Sequence, residues 1–369
     1  MTAITEAGPA ARTARLCALL PQAGTDLLLV TDLVALRYLT GFTGSNGLAI
    51  VGPDTRVFVT DFRYKEQSAE EVDPVYEVVI DSQNITEALP RLLPARGAVR
   101  LGFDDAAMSV RAAAALRAEL EQRIELVPAG GLVERLRRVK EPAEIEAITA
   151  AQAIADAALE ALLAAGLEGR TERALAVALE HEMRLRGADG PSFPSIVGSG
   201  PNGALPHAHP TDRAVGAGDV VVIDWGAYVG GYCSDCTRTV AVGQWADHAA
   251  EIYDLVLSAQ LAGLDAVTAG ADGYAVDRLV RDIIDGAGHR DHYGHGLGHG
   301  VGLEIHEAPT LSYRVSPGAQ TLLAGEVVTV EPGIYLPGDL GVRIEDLTVV
   351  TDGAPTILTG IPKERRVVD

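Results

Sequence analysis

The sequence predicts an α+β protein of two domains, a smaller α/β domain followed by a larger one whose antiparallel strands carry helices on one side. Three observations lead there. The chain has 369 residues, 47% of them hydrophobic, and at roughly 150 residues per domain that is enough apolar material for two cores. Short apolar runs alternate with helical stretches through the first part, the pattern of an α/β unit. The breaker cluster Pro128-Ala129-Gly130-Gly131 then interrupts the chain, dividing it into residues 1–131 and 132–369.

In chain order, Leu27–Val30, Leu48–Val51 and Arg56–Val59 read as strands, being short apolar runs bounded by Gly, Pro or Asp. The Ala-, Arg- and Glu-rich run Ser109–Gln122 reads as a helix with Ser109 as its N-cap, because a serine hydroxyl can accept from an unpaired first-turn amide. Beyond the breaker, Pro142 opens a helix at the position where a missing N–H does no harm. Ile145, Ile148, Ala151 and Ile154 follow it at helical spacing. Further helices are expected over Thr171–Arg186, Ala246–Val267 and Asp272–Asp285. Strands are expected at Asp219–Trp225, Tyr232–Val242, Glu326–Val330 and Arg343–Val350. No fixed-period repeat or low-complexity tail interrupts this order.

Composition narrows the function. With 51 acidic and 30 basic residues the net charge is −21, a field that repels nucleic acid and anionic membrane and favours cations. Three cysteines make no disulfide framework in a chain of this size, which points to a reducing compartment. The N-terminal stretch lacks the apolar core of a signal peptide, and no run of about 18 uncharged apolar residues occurs. A soluble, cytoplasmic protein is the expectation.

The chemistry collects on strands. Asp224 sits on one apolar strand and Asp235 on the next, joined by a turn at Val229-Gly230 or Gly230-Gly231. In one register the two face each other, and in the other they are diagonal on the same face. Two carboxylates so placed repel and lose hydration, at a cost of several kcal/mol that a divalent cation removes. The bland alternative is that each Asp caps a turn or pairs with an arginine such as Arg238. Five histidines (His289, His292, His295, His299 and His306) fall within one glycine-rich stretch. Its H-G-L-G-H is too rich in glycine for a zinc-binding helix, so a loop that brings an imidazole close to a ligand fits better. Glu331 and Glu345 interrupt or end apolar strands, where glutamate is seldom buried unpaired. Arg343 and Glu345 alternate, so a buried Arg343–Glu345 or cross-strand ion pair is the structural alternative. Together Asp224, Asp235, His299, Glu331 and Glu345 make four carboxylates and an imidazole, a set suited to two bridged metal ions and an activated water.

Three features are set aside. Cys233 and Cys236 form a C-x-x-C, but residues three apart on a strand point to opposite faces, and no second pair completes a zinc site. GFTGSNG is a lone glycine-rich turn, weak evidence for phosphate binding. His209, beside His207 in a proline-flanked loop, is either solvated or near substrate, and no role is assigned to it.

The motifs LPHAHPTDR, GDVVVIDWGAYVGGYCSDCTRT, HGLGHGVGLEIHE, VEPGIY and GVRIED, in that order, resemble the pita-bread family of dinuclear metallopeptidases, in the Xaa-Pro branch that holds aminopeptidase P and prolidase. LRYLTGFTGSNG and FVTDFRY resemble the creatinase/prolidase-type N-terminal domain, so the likeness spans nearly the whole chain. It implies a pita-bread catalytic domain at 132–369, with Asp224, Asp235, His299, Glu331 and Glu345 as metal ligands. Asp235 and Glu345 would bridge the ions, with Asp224 on one and His299 and Glu331 on the other. His207 and His306 would orient substrate and stabilise the tetrahedral intermediate, and His295 would lie beside the substrate pocket. Arg343, Tyr335 and Thr237 would hold the bridging ligands. The implied nucleophile is a metal-bridging hydroxide, with Glu331 as general base delivering a proton to the proline nitrogen.

The implied cofactor is two divalent ions, Mn²⁺ first and Co²⁺ or Zn²⁺ as alternatives. The implied partners are proline-containing peptides and, for the assembly, a second copy in a homodimer. Many relatives carry an arginine in a motif resembling I-H-E-x-P-R, suited to the free carboxylate of a dipeptide, where this chain has Thr310 with Arg314 nearby. That departure tilts the expectation toward aminopeptidase P, with prolidase as the alternative. The N-terminal domain argues against a methionine aminopeptidase and the complete ligand set against creatinase. A non-catalytic binding module on the same scaffold is the remote third reading.

Overall fold

The computed structural model describes residues 7–82, 84–93, 97–120 and 122–369, which fall into two compact units parting between Arg137 and Arg138. The break expected after Gly131 comes one short helix earlier. Leu132–Arg138 is helical, and its Leu132 and Val133 are buried beside Leu28–Val30 of the first unit.

The first unit is built on a six-stranded sheet in the order Glu77–Asp81, Arg56–Asp61, Leu48–Val51, Leu27–Val30, Val99–Phe103, Ile124–Pro128. The three expected strands form its antiparallel centre, and parallel strands flank them on both sides. The helix expected over Ser109–Gln122 spans Val110–Glu119, and Ser109 Oγ accepts from Ala112 N at 3.1 Å as an N-cap should. Residue 121 lies outside the described residues.

The second unit has two main sheets, each covered by a pair of helices. Ile196–Ser199, Val220–Trp225, Cys236–Val242 and Arg366–Val368 form one sheet. Against it lie Pro142–Ala164, opened by Pro142 and a Glu141–Glu144 capping box, and Glu172–Leu185. Leu159, Leu162, Leu175 and Leu179 from these helices join Val221, Ile223 and Trp225 in one core. Trp225 is fully buried, and its Nε1 donates to the Ala155 carbonyl at 2.8 Å, so its one polar atom is satisfied away from water.

The second sheet orders Glu307–Leu311, Gly298–Gly300, Val327–Val330, Asp346–Val349 and Thr356–Ile357, all antiparallel. A hairpin of Gly333–Leu336 and Leu340–Arg343 accompanies it. Helices Asp247–Ala266 and Gly273–Gly286 cover this side through Val256, Ala259, Val276 and Val280. Each such valine contributes about 1.5–3 kcal/mol by leaving water, and the alanine less. The resulting frame holds the polar strand ends where the candidate site forms.

The register between Val220–Trp225 and Cys236–Val242 pairs Asp224 with Thr237 and Trp225 with Cys236. The turn is therefore Gly230-Gly231, both residues having positive φ as a tight hairpin requires. Asp235 lies diagonal to Asp224 rather than opposite it.

Two expected strands are broken, each at a charged residue. Tyr232–Val242 is interrupted at Ser234-Asp235, where the chain folds close over Gly226; a Cβ there would collide with the Ser234 carbonyl. Arg343–Val350 is interrupted at Ile344-Glu345, and the two halves belong to different sheets. Glu345 N donates to Thr237 O at 3.1 Å and Glu345 O accepts from Arg238 Nη1 at 2.5 Å. These bonds from a neighbouring strand take the place of ladder partners. Arg343 and Glu345 consequently do not share one face of a continuous strand.

Candidate active site

Both breaks aim a carboxylate at the same point. Asp235, His299 and Glu345 each offer a ligand atom, and these atoms lie within 4.8 Å of one another. His299 comes from Gly298–Gly300, the strand next to the edge of the second sheet, Glu345 from the break after the hairpin, and Asp235 from the break in the first. His299 Nδ1 faces the Gly300 carbonyl at 3.1 Å, which turns Nε2 into the cluster, 3.5 Å from Asp235 Oδ2 and 3.3 Å from Glu331 Oε1. An imidazole whose other nitrogen is tied to a carbonyl is oriented as metal-ligating histidines usually are. Asp224 and Glu331 line the same cleft, so all five residues expected as ligands are brought together.

The electrostatics are those of buried like charges crowded together. Burial, then the like charges of Glu345 and Asp224, push the Asp235 carboxyl well above its ordinary range. Burial, then Glu331 and Asp224, do the same to Glu345. Glu331 behaves differently: burial raises it, but its hydrogen bond and charge contact with His299 outweigh this and leave it at about 2. Burial lowers the His299 imidazole, but its hydrogen bond and charge contact with Glu331 outweigh this and raise its pKa. Asp224 Oδ1 and Glu345 Oε1 are buried without any hydrogen-bond partner. Orphaned carboxylate oxygens among like charges are costly unless a cation meets them, and an oxygen-rich set with one imidazole suits hard or borderline divalent ions. The residues fit the expected metal group.

The structural alternatives hold only in part: Asp224 does meet an arginine, and Glu331 lies 3.3 Å from His299, but the two named pairings do not form. Arg238 is engaged by Asp346 at 2.8 Å and by backbone carbonyls, not by the aspartate pair. Arg343 pairs with Asp224 rather than Glu345, its Nη2 lying 2.5 Å from Oδ2. The three residues expected to support the ligands, together with His295, expected beside the substrate pocket, form one connected network. Arg343 Nε donates to Thr237 Oγ1 at 2.9 Å, and Thr237 Oγ1 donates to Glu345 Oε2 at 2.7 Å. Arg343 Nη1 donates to Tyr335 OH at 2.8 Å, which lies 2.9 Å from His295 Nε2. His295 Nδ1 faces the Gly296 carbonyl, and burial lowers its pKa, which suits a neutral ring accepting from Tyr335. Tyr335 and Thr237 lie behind the cleft wall, whereas Arg343 and His295 reach its lining.

The cleft has a volume of about 560 Å³. His306 stacks edge-on against His299 with ring centroids 4.4 Å apart, and burial and then the His299 charge lower its pKa, so it stands as a neutral imidazole. His207 is exposed at the cleft, and so is His209, to which sequence reasoning assigned no role. Its place two residues from His207 was the available signal, and the structure buries Ala208 between them. Phe193, Ile305 and Val315 supply apolar wall. Cys233 and Cys236 are buried in separate cores, and Cys236 Sγ donates to the Glu345 carbonyl at 3.4 Å.

Two supports lay beyond sequence reasoning. Thr329 Oγ1 accepts from His299 N at 3.1 Å and donates to Glu331 Oε1 at 3.3 Å. Glu172, fully buried at a helix start, accepts from Ser199 N, Ser199 Oγ, Asn202 Nδ2, Thr211 N and Thr211 Oγ1 at 2.6–3.0 Å. It thereby clamps both ends of the loop that carries His207 and His209.

Comparison with known proteins agrees with this geometry. The model of metallopeptidase family M24 matches residues 146–352, and that of the creatinase/prolidase N-terminal domain matches residues 12–139. An uncharacterized peptidase of Bacillus subtilis is 43% identical over 93% of this chain and 96% of its own. Among solved structures, a Xaa-Pro dipeptidase from Bacillus anthracis superposes with a TM-score of 0.92 at 39% identity, covering 98% of this chain and 100% of that one. An X-Pro aminopeptidase from Thermotoga maritima gives a TM-score of 0.89 at 34% identity, covering 97% and 100%.

Proposed function

Because the chain belongs to metallopeptidase family M24 and carries a creatinase/prolidase N-terminal domain, we propose that it is a Xaa-Pro dipeptidase, hydrolysing the bond between a first residue and a C-terminal proline. The observation that carries this reading is the meeting of Asp235, His299 and Glu345 beside His306 in a cleft with apolar walls. The greater likeness to the B. anthracis dipeptidase than to the T. maritima aminopeptidase, 39% against 34%, supports the dipeptide substrate. The second reading is aminopeptidase P, favoured by Thr310 standing where an arginine would meet a dipeptide's carboxylate.

Asp224, Asp235, His299, Glu331 and Glu345 would hold two divalent ions, Mn²⁺ by preference. When bound, such ions acidify a water toward neutral pH and polarise the scissile carbonyl. The protein supplies the rest. His207 and the neutral His306 donate to the carbonyl oxygen as charge develops on it. Glu331 accepts the proton of the attacking water and passes it to the proline nitrogen, which enters the reaction with no hydrogen of its own. Phe193, Ile305 and Val315 offer the pyrrolidine ring an apolar seat. A cytoplasmic homodimer acting on short proline-containing peptides completes the proposal.

The test is product analysis by mass spectrometry on chelated and Mn²⁺-reconstituted protein offered Ala-Pro, Ala-Pro-Ala and a longer Xaa-Pro peptide together. Cleavage of Ala-Pro is expected. Cleavage of only the longer peptides after their first residue would replace the reading with aminopeptidase P. No cleavage with metal bound would leave a binding module.

A further inference from the structure

Between the strands Thr356–Ile357 and Arg366–Val368 the chain has no regular structure, yet five consecutive residues of it are each bonded to another part of the catalytic unit. Thr359 Oγ1 accepts from Leu347 N at 2.9 Å, and Gly360 N donates to Asp156 Oδ2 at 2.6 Å. The Ile361 and Pro362 carbonyls accept from Arg238 Nη2 and Nε at 2.5 and 3.0 Å. Lys363 pairs through Nζ with Asp346, and its carbonyl accepts from Tyr253 OH at 2.9 Å. Connecting segments are ordinarily the mobile parts of a fold. This one is held at every step, and three of its five residues meet at Arg238 and Asp346.

Arg238 and Asp346 are buried, and they stand directly behind Glu345. Asp346 Oδ1 accepts from Arg238 Nη2 at 2.8 Å, while Oδ2 accepts from Gln260 Nε2 at 2.9 Å and faces Lys363. With both oxygens engaged the carboxylate cannot swing, and the guanidinium it holds is set in place. Arg238 Nη1 in turn donates to the Glu345 carbonyl at 2.5 Å. Alternation along Cys236–Val242 sends the neighbouring Thr237 to the other face, where Oγ1 meets the Glu345 carboxylate at 2.7 Å. Glu345 is thus gripped twice, by its side chain through Thr237 and by its backbone through Arg238. The strand that does both begins one residue after Asp235.

We infer that Lys363 is a positioning residue for the metal centre: through Asp346 and Arg238 it fixes the backbone of Glu345 at the strand break from which that side chain reaches the cluster. The inference rests on Glu345 as a metal ligand. At a break the backbone lacks ladder partners, so its place depends on bonds such as these. The other ion pair of this terminal segment, Arg366 with Glu160 at 2.6 and 2.8 Å, holds the last strand to helix Pro142–Ala164 and makes no bond to Arg238 or Asp346.

The experiment uses full-length protein, chelated and then titrated with Mn²⁺, as wild type, Lys363→Met, Lys363→Arg, Arg366→Met and Glu345→Gln. Mn²⁺ affinity is read from the electron paramagnetic resonance of the free ion. At saturating Mn²⁺, kcat and KM are measured on whichever of Ala-Pro and Ala-Pro-Ala the wild type cleaves. Lys363→Met is expected to weaken Mn²⁺ binding and to lower kcat by about 10-fold each, with KM within about twofold. Lys363→Arg should recover most of both losses, and Arg366→Met should keep wild-type values. Should Lys363→Met fail to fold by circular dichroism, Lys363→Gln, which keeps a donor and drops the charge, is expected to show the same two losses. Wild-type affinity and kcat in the Lys363 variant, or equal losses in Arg366→Met, would overturn the role of Lys363 and reduce the segment to a structural tether. Glu345→Gln binding Mn²⁺ as the wild type does would overturn the ligand assignment instead. A wild type inert on both peptides would overturn the Xaa-Pro reading before any variant is measured.

Discussion

The catalytic unit buries carboxylates in two opposite ways. Glu172 has every lone pair answered: backbone amides, hydroxyls and an amide side chain converge on it, and they hold its pKa below the usual range although burial pulls the other way. At the cluster, Asp235 and Glu345 are buried to a similar degree, face each other's charge, and leave Glu345 Oε1 unanswered, as is Oδ1 of Asp224 nearby. Burial alone therefore says little about a carboxylate's role. The count of partners separates a clamp from a seat for a cation.

The largest effect should come from breaking the cluster. Asp235→Asn removes a negative charge from the cluster and should lower turnover by on the order of 10³-fold, with bound metal falling in parallel. Circular dichroism should show an intact fold, because a neutral amide relieves repulsion in the metal-free state. Metal content by elemental analysis alongside kcat is the check. An active Asp235→Asn enzyme with two ions bound would remove Asp235 from the ligand set.

The next effect sharpens the contrast without any mutation. In the metal-free protein the folded-state pKa values of Asp235 and Glu345 lie above their unfolded ones. The folded state then binds more protons than the unfolded chain once pH passes about 4, so stability falls as pH rises. His299, raised by its pairing with Glu331, acts in the same direction, since its contribution is lost as pH climbs through its folded value. Chelated protein should therefore melt lower at pH 8 than at pH 5. Excess Mn²⁺ should raise the melting temperature by about 5–10 °C at pH 8 and by less at pH 5. Equal gains at both pH values would mean that the cluster is not where the ion binds.

Much of this was legible in the sequence because glutamate and aspartate on apolar strands are conspicuous. Asp224, Asp235, Glu331 and Glu345 announce themselves by interrupting hydrophobic runs, and the glycine-rich run around His299 does so by its crowding of imidazoles. The two strand breaks were not legible. β-Forming residues flank Ser234-Asp235 and Ile344-Glu345 on both sides, and the chain leaves the ladder there because of partners such as Arg238 and Gly226. The same reason hid Glu172, whose partners lie between Ser199 and Thr211, and Lys363, whose partner is Asp346. Local pattern reports which residues are unusual, whereas the supports that aim them are set by contacts far along the chain.

The smallest effect tests the saturated carboxylate. Glu172→Gln keeps the size of the side chain but turns one acceptor oxygen into a donor, which then faces N–H and O–H groups that are themselves donating. Two or three of its bonds should be lost, at a cost of about 1–3 kcal/mol, read as a lower melting temperature. The sign with pH follows from the lowered pKa of Glu172. Its contribution is present above the unfolded value of about 4.3 and disappears as pH falls through the folded one. The gap between wild type and variant should accordingly be full at pH 7 and narrow under acid. Since the clamp holds the loop bearing His207 rather than the cluster, kcat should fall several-fold while two metal ions remain bound. Loss of metal from Glu172→Gln would mean that the two carboxylate environments are coupled, and the division between clamp and seat would not stand.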